Sequence, residues 1–273
     1  MMHAQVSLAL PSLAGYGLWE ALDLAEAMGF RALMGFLGGP RTAHSQGEFP
    51  TFGYYDGDAV HGDRVRRRLA AFARRSIHQS WDEDWERWVE GAAFLGAEIL
   101  TVHARGRGAD EGPAAHRASE GDRLRRIGDA AGARGLRVGV ENAGGRADEY
   151  LPLVRDLGHE QVGATLDLGH CAYFAEVQGI ADLDERVAAL NQTIADLVAG
   201  LGSRLFHFHA HNVRREDWRD HRSAPEGVID MARLFDPLRR QGFGGLFDIE
   251  LEEPERETKA RETGEYLSRL LRG

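Results

Sequence analysis

Cysteine is nearly missing from this chain. Cys171 is the only one, so no intrachain disulfide can form, nothing points to an oxidising compartment, and a cytoplasmic setting fits best. No apolar run approaches the ~20 residues that span a bilayer, so an integral membrane protein is not expected. The first ten residues carry no Lys or Arg ahead of their short apolar run, so they read as a first strand and not as a secretory signal. Basic excess is absent too. A formal net charge of −10 gives no general attraction to phosphate backbones or anionic lipid, which disfavours nucleic acid and membrane as partners. No linker rich in Pro, Gly or Ser, no low-complexity tract and no close repeat divides the chain. With 43% hydrophobic and 28% charged residues, it has the make-up of a soluble globular protein with a sizeable core.

What is present is an alternation of short apolar runs with longer amphipathic ones, the pattern of βα units and a parallel sheet. Eight strands are expected, near Val6–Leu10, Ala32–Phe36, Ser76–His78, Ile99–His103, Arg137–Glu141, Gly163–Asp167, Leu205–His209 and Leu246–Glu250. Between them lie helix patterns at Leu18–Met28, Asp84–Phe94, Glu120–Ala133, Asp148–Leu157, Leu183–Ala199 and Met231–Arg240, with Arg256–Arg272 last. Gly29, Gly96, Gly135, Gly158, Gly202 and Gly242 each stand between a helix and the next strand, where a left-handed cap is wanted. The fold class is therefore α/β, one (β/α)8 TIM barrel over residues 1–273, a length close to the ~250 residues such barrels take. The connection from Gly38 to Asp63, with Pro40, Phe52, Tyr54 and Tyr55, is long. It reads either as an aromatic wall or lid for a pocket, or as a surface insertion.

Four strand ends carry a residue able to hold a metal: Glu141 in Val138-Gly139-Val140-Glu141, Asp167 in Ala164-Thr165-Leu166-Asp167, His209 in Phe206-His207-Phe208-His209, and Glu250 in Phe247-Asp248-Ile249-Glu250. In a parallel barrel all such ends meet at one mouth. Any one acid after an apolar run can simply begin a loop or cap a helix; four in series read as one site. Three carboxylates and one imidazole suit one Mn²⁺, Mg²⁺ or Co²⁺ ion, with Zn²⁺ as an alternative, better than a thiolate-rich structural zinc site. Period two sends His207, His209 and His211 to the same side, His207 deeper in the barrel and His211 in the mouth.

This ordered set, with Asp167-Leu168-Gly169-His170 and His207-Phe208-His209, resembles the sugar and sugar-phosphate isomerase/epimerase branch of the xylose isomerase-like TIM barrel superfamily. The resemblance implies that Glu141, Asp167, His209 and Glu250 hold the metal and that His170 touches substrate hydroxyls. It also implies that Arg215 takes the place of a substrate-binding arginine. Without it, His170 reads equally as a helix-start histidine and Arg215 as part of a solvated charged stretch. The apurinic-site endonuclease branch of the same superfamily adds two histidines, matched here by His78 and His103, as second-metal or substrate ligands. Its third metal uses an Asp where this chain has Arg219, which argues against a complete three-metal centre. Pro225 is a second departure from the family's loop pattern.

The implied function is a divalent-metal-dependent isomerase or epimerase of a sugar, sugar phosphate or related polyol acting through an enediolate, with Glu141 and Glu250 as the proton-transferring pair. Alternatives are a lyase acting on an inosose or dehydroshikimate-like substrate, a zinc phosphodiesterase, and a non-catalytic binding barrel. The expected partner is a small carbohydrate. Such barrels commonly associate, and the last helix is a candidate dimer surface. Gly106-Arg107-Gly108 and Gly144-Gly145-Arg146 read as phosphate cradles or as ordinary loops, while Trp19, Trp81, Trp85 and Trp88 read as packing or subunit contacts before a carbohydrate platform.

Overall fold

The structure, a computed structural model, describes residues 2–38, 50–53, 59–79 and 84–273. Pro40, Tyr54, Tyr55 and Trp81 lie outside the described residues. Eight parallel strands close into a barrel in sequence order: β1 (Val6–Ala9), β2 (Ala32–Phe36), β3 (Arg74–His78), β4 (Ile99–His103), β5 (Arg137–Glu141), β6 (Val162–Asp167), β7 (Leu205–His209) and β8 (Phe247–Ile249). Around them run α1 (Leu18–Ala27), α2 (Ala59–Leu69), α3 (Trp85–Phe94), α4 (Pro113–Gly132), α5 (Ala147–Arg155), α6 (Ala175–Gln178), α7 (Leu183–Leu201), α8 (Met231–Arg240) and α9 (Arg256–Arg272).

The longer helices turn one apolar stripe inward. In α8 the buried positions Met231, Leu234, Phe235 and Leu238 follow the i, i+3, i+4, i+7 spacing. Asp84, Asp182 and Asp230 cap α3, α7 and α8, their carboxylates accepting the first free backbone N–H groups. All six glycines expected after helices have positive φ, so they do end the helices where a side chain would be strained.

Several boundaries shift by one or two residues from expectation, and three differences bear on the fold or the site. The long connection after β2 ends earlier than Asp63, because α2 starts at Ala59; its only buried residues are Gly62, Val65 and Leu69, too sparse a stripe among Arg66, Arg67 and Arg68 to announce a helix. Phe52, from that connection, is buried against Gly35, and its N–H bonds to Phe36 O, so it packs onto the end of β2. β8 stops at Ile249, leaving Glu250 as the first residue beyond the strand. α4 begins at Pro113, well before Glu120. Glu120 and Arg123 form a buried ion pair there: Glu120 accepts from Arg123 Nε (2.8 Å) and Arg105 N (3.1 Å), while Arg123 Nη2 donates to His103 O (2.9 Å). The pair ties α4 to the end of β4. Trp88 is core, and Trp19 lies under the Arg64 guanidinium. Among the described residues no helix is long and apolar enough to cross a membrane.

Candidate metal centre at the barrel mouth

Strand register brings the site together. β4 and β5 pair His103 with Glu141, β6 and β7 pair Asp167 with His209, and β7 and β8 pair His209 with Asp248, so residues distant in sequence become neighbours. Asn142 locks two of these ends: its Oδ1 accepts Asp167 N (2.8 Å) and its Nδ2 donates to Asp167 O (3.0 Å). All four residues read as ligands meet around His209 Nδ1, which lies 3.2 Å from Glu141 Oε1, 3.7 Å from Asp167 Oδ2 and 3.6 Å from Glu250 Oε2. Ligand bonds of about 2.1 Å place neighbouring donor atoms roughly 3 to 3.5 Å apart; Glu141, Asp167 and His209 lie close enough together to share one ion, and Glu250, 3.6 Å from His209 Nδ1, also groups with Asp167, His211 and His221.

The histidines around them divide by geometry. His211 is buried; its Nδ1 accepts His221 N (2.9 Å), so its Nε2–H is free to donate to Asp167 Oδ2 (2.9 Å). It therefore orients Asp167. His78 Nδ1 bonds to Gln79 O (3.0 Å), a contact in which the ring must donate, and this turns Nε2 toward Glu141 Oε2 at 2.9 Å. His103 Nε2 reaches the same oxygen at 3.0 Å. Two imidazoles and one carboxylate oxygen converging in this way make a second place where a cation fits beside Glu141.

A third group combines His170, Asp220 and His221. Arg219 was expected to leave this group without a carboxylate. The structure differs: Asp220, one residue later, lies 3.8 Å from His170 Nε2 and 3.3 Å from His221 Nδ1, while Arg219 points to Glu252. Left-handed backbone at Trp218 (φ 57°) and His221 (φ 54°) brackets Asp220 and turns it inward; non-glycine residues held this way carry strain that clusters at functional loops. Asp220 and His221 are not among the site residues expected from the sequence, although an Asp-His pair downstream of three histidines is a usable signal.

Arg215 is not brought to this centre. It is largely exposed and paired with Asp184 at the start of α7. The loops Gly106-Arg107-Gly108 and Gly144-Gly145-Arg146 share one cleft of about 350 Å³ between the starts of α4 and α5, where Arg107 and Arg146 face Glu149 and Asp148.

Electrostatics holds the cluster in its charged form. Burial pushes Glu141 up, but His209, His103 and His170 hold it well below the usual carboxylate range. Burial likewise opposes ionisation of Asp167, which His170 and His211 pull well down. His209 is pushed down by burial and raised well above its ordinary value by Glu250 and Glu141. His170 shows the same contest: burial lowers it, Asp167 and Glu141 win, and it rises to about 9. Because its folded value lies above the ordinary 6.5, the stabilisation from its charge is complete below that pH and lost as pH climbs to about 9. The ion-free protein should therefore melt at a lower temperature at pH 9 than at pH 7, each about; a flat melting profile across that window would contradict this.

Comparison with known proteins agrees with the architecture. The sequence matches the family described as xylose isomerase-like TIM barrel over residues 22–270. An uncharacterized protein of Methanocaldococcus jannaschii is 24% identical over 141 residues, 49% of this chain and 43% of that protein, so the match spans less than half of the relative's length. Among solved structures, a D-tagatose 3-epimerase-like protein superposes with a TM-score of 0.72 at 16% identity, covering 98% of each chain. A xylose isomerase-like TIM barrel protein from Mycobacterium smegmatis in complex with magnesium gives 0.67 at 16%, covering 99% of this chain and 98% of the other. The probable 3-DHS dehydratase AsbF from Bacillus anthracis gives 0.67 at 14%, covering 97% and 98%. At such identities the structural likeness is one of fold, whereas the sequence match takes in nearly the whole barrel: the chain belongs to the xylose isomerase-like TIM barrel family.

Proposed function

We propose that this protein is a divalent-metal-dependent isomerase or epimerase of a sugar, sugar phosphate or related polyol, with Glu141, Asp167, His209 and Glu250 holding one Mn²⁺, Mg²⁺ or Co²⁺ ion. The observation that carries this reading is the convergence of two carboxylates from different strand ends, Glu141 from β5 and Glu250 beyond β8, on His209 Nδ1 at 3.2 and 3.6 Å. The bound ion would supply Lewis-acid stabilisation of charge developing on the substrate's oxygens. Proton movement falls to the chain. One carboxylate removes the proton beside the substrate carbonyl and the other returns it, with the substrate face deciding which is the base. His170, partly open to the mouth, is placed to donate to a substrate hydroxyl. The names of the similar structures, an epimerase-like protein and a dehydratase, support this class of chemistry without choosing within it. Loss of a β-hydroxyl after proton removal would make the same site a lyase.

A second reading, a metal phosphodiesterase with two or three ions, is favoured by the flanking groups His78/His103/Glu141 and His170/Asp220/His221. The net charge of −10 works against a polyanionic substrate. The test is incubation with ketoses, their phosphates and inososes in D₂O, read by NMR. Deuterium entering at carbon beside the carbonyl is expected; no exchange on any of them, with cleavage of an abasic duplex instead, would overturn the isomerase reading.

A further inference from the structure

Below the mouth the barrel interior is charged where such barrels usually carry layers of aliphatic side chains. Asp248, fully buried in the middle of β8, reaches across the interior: its Oδ2 accepts Ser76 Oγ from β3 (2.6 Å) and bonds to His207 Nε2 from β7 (2.5 Å). Its other oxygen, Oδ1, makes no hydrogen bond of ordinary geometry, Ser7 being the hydroxyl near enough to favour its charge. Four more buried side-chain atoms among the described residues share that condition, and two of them, His209 Nε2 and Ser7 Oγ, belong to strands neighbouring β8 in the barrel. A ring nitrogen of His207, a ring nitrogen of His209 and a carboxylate oxygen of Asp248 lie within 4.8 Å of one another.

A neutral imidazole carries one N–H. His209 turns Nδ1 to Glu141, Asp167 and Glu250, so it offers a lone pair there only if its proton is on Nε2, the nitrogen without a partner. A buried N–H wants an acceptor, and a buried carboxylate oxygen wants a donor; leaving both unmet is costly. Metal-bound histidines characteristically give their second N–H to a carboxylate, carbonyl or water.

We propose that Asp248, fixed by His207 and Ser76, is a positioning residue for His209: it receives the His209 Nε2–H, directly or through one water shared with Ser7, and so commits Nδ1 to the cation. This rests on the metal-site reading above. It also accounts for an acid within a strand core, since a carboxylate is a costly guest in a barrel interior unless it is fully engaged.

The test uses zinc as a diamagnetic probe on the full-length protein, with affinity by titration calorimetry and the His209 ring N–H by proton NMR. Wild type should bind zinc and show a slowly exchanging, far-downfield His209 Nε2–H. Asp248→Leu should lose that signal and bind zinc about 10 to 100-fold more weakly, the usual loss for an outer-shell partner. Asp248→Asn, which keeps an acceptor oxygen, should move the signal upfield and lose less affinity. If Asp248→Leu does not fold, Asp248→Asn carries the test on the same two readouts. Zinc affinity within twofold of wild type with an unmoved His209 signal in the folded variant overturns the positioning role alone. Wild type that binds no zinc overturns it together with the metal reading.

Discussion

Replacing Glu141 by Gln is expected to lower turnover at least about 10³-fold, within the roughly 10²–10⁴ that a positioned acid-base group contributes, and to do so by two routes. It removes a proton-transferring group, and it removes one of the carboxylates facing His209 Nδ1. Ion affinity should fall by more than the roughly 10 to 100-fold typical of an outer-shell loss. His78, His103 and His170 all address this carboxylate as well, so the substitution disturbs several of the site's contacts at once. The fold should survive, because Gln has the same shape and no strand contact depends on the charge. Circular dichroism should match wild type while calorimetry and activity do not. A Glu141→Gln protein that binds its ion normally and turns over would remove Glu141 from both roles.

The second large effect is on stability and lies outside the mouth. Glu120→Ala strands the Arg123 guanidinium in a buried position, and breaking such a pair costs about 3–5 kcal/mol. At about 2–4 °C per kcal/mol for a chain of this order of size, the melting temperature should fall by roughly 6–20 °C. A double replacement of Glu120 and Arg123 by apolar residues of similar volume should recover most of the loss, since it removes the uncompensated charge. Equal melting of single mutant and wild type would mean the pair is neutral to stability. Because Arg123 Nη2 donates to His103 O and Glu120 accepts Arg105 N, the single mutant should also loosen the end of β4, where His103 meets Glu141.

Much of this was legible in the chain, for physical reasons that also mark where reading stopped. Glu141, Asp167, His209 and Glu250 each close an apolar run, and the parallel barrel turns that local signal into convergence. The glycine after each helix was readable because a positive φ is a local requirement. α2 was not, since a helix that buries little gives weak periodicity. Asp220 was not legible as part of the site, since its inward turn depends on the left-handed backbone at Trp218 and His221, which no spacing rule announces. Asp248 lies on the inner side of its strand by alternation with Glu250, as His207 does with His209, yet that local pattern names no partner for it. Its partners Ser76 and His207 come from other strands, and only the closed barrel brings them together. Arg215 was carried over from a resemblance, and its pairing with Asp184 reflects a loop course that the strand pattern does not encode.

The central claim is that the four strand-end residues hold one catalytic ion. It is tested most directly by elemental mass spectrometry on protein purified without chelator or affinity-column metal, reported as ions per chain. The account predicts one Mn, Mg or Co per chain, lost on chelation and restored on adding the same ion together with activity. Protein that carries no metal, and takes up none on addition, would contradict it.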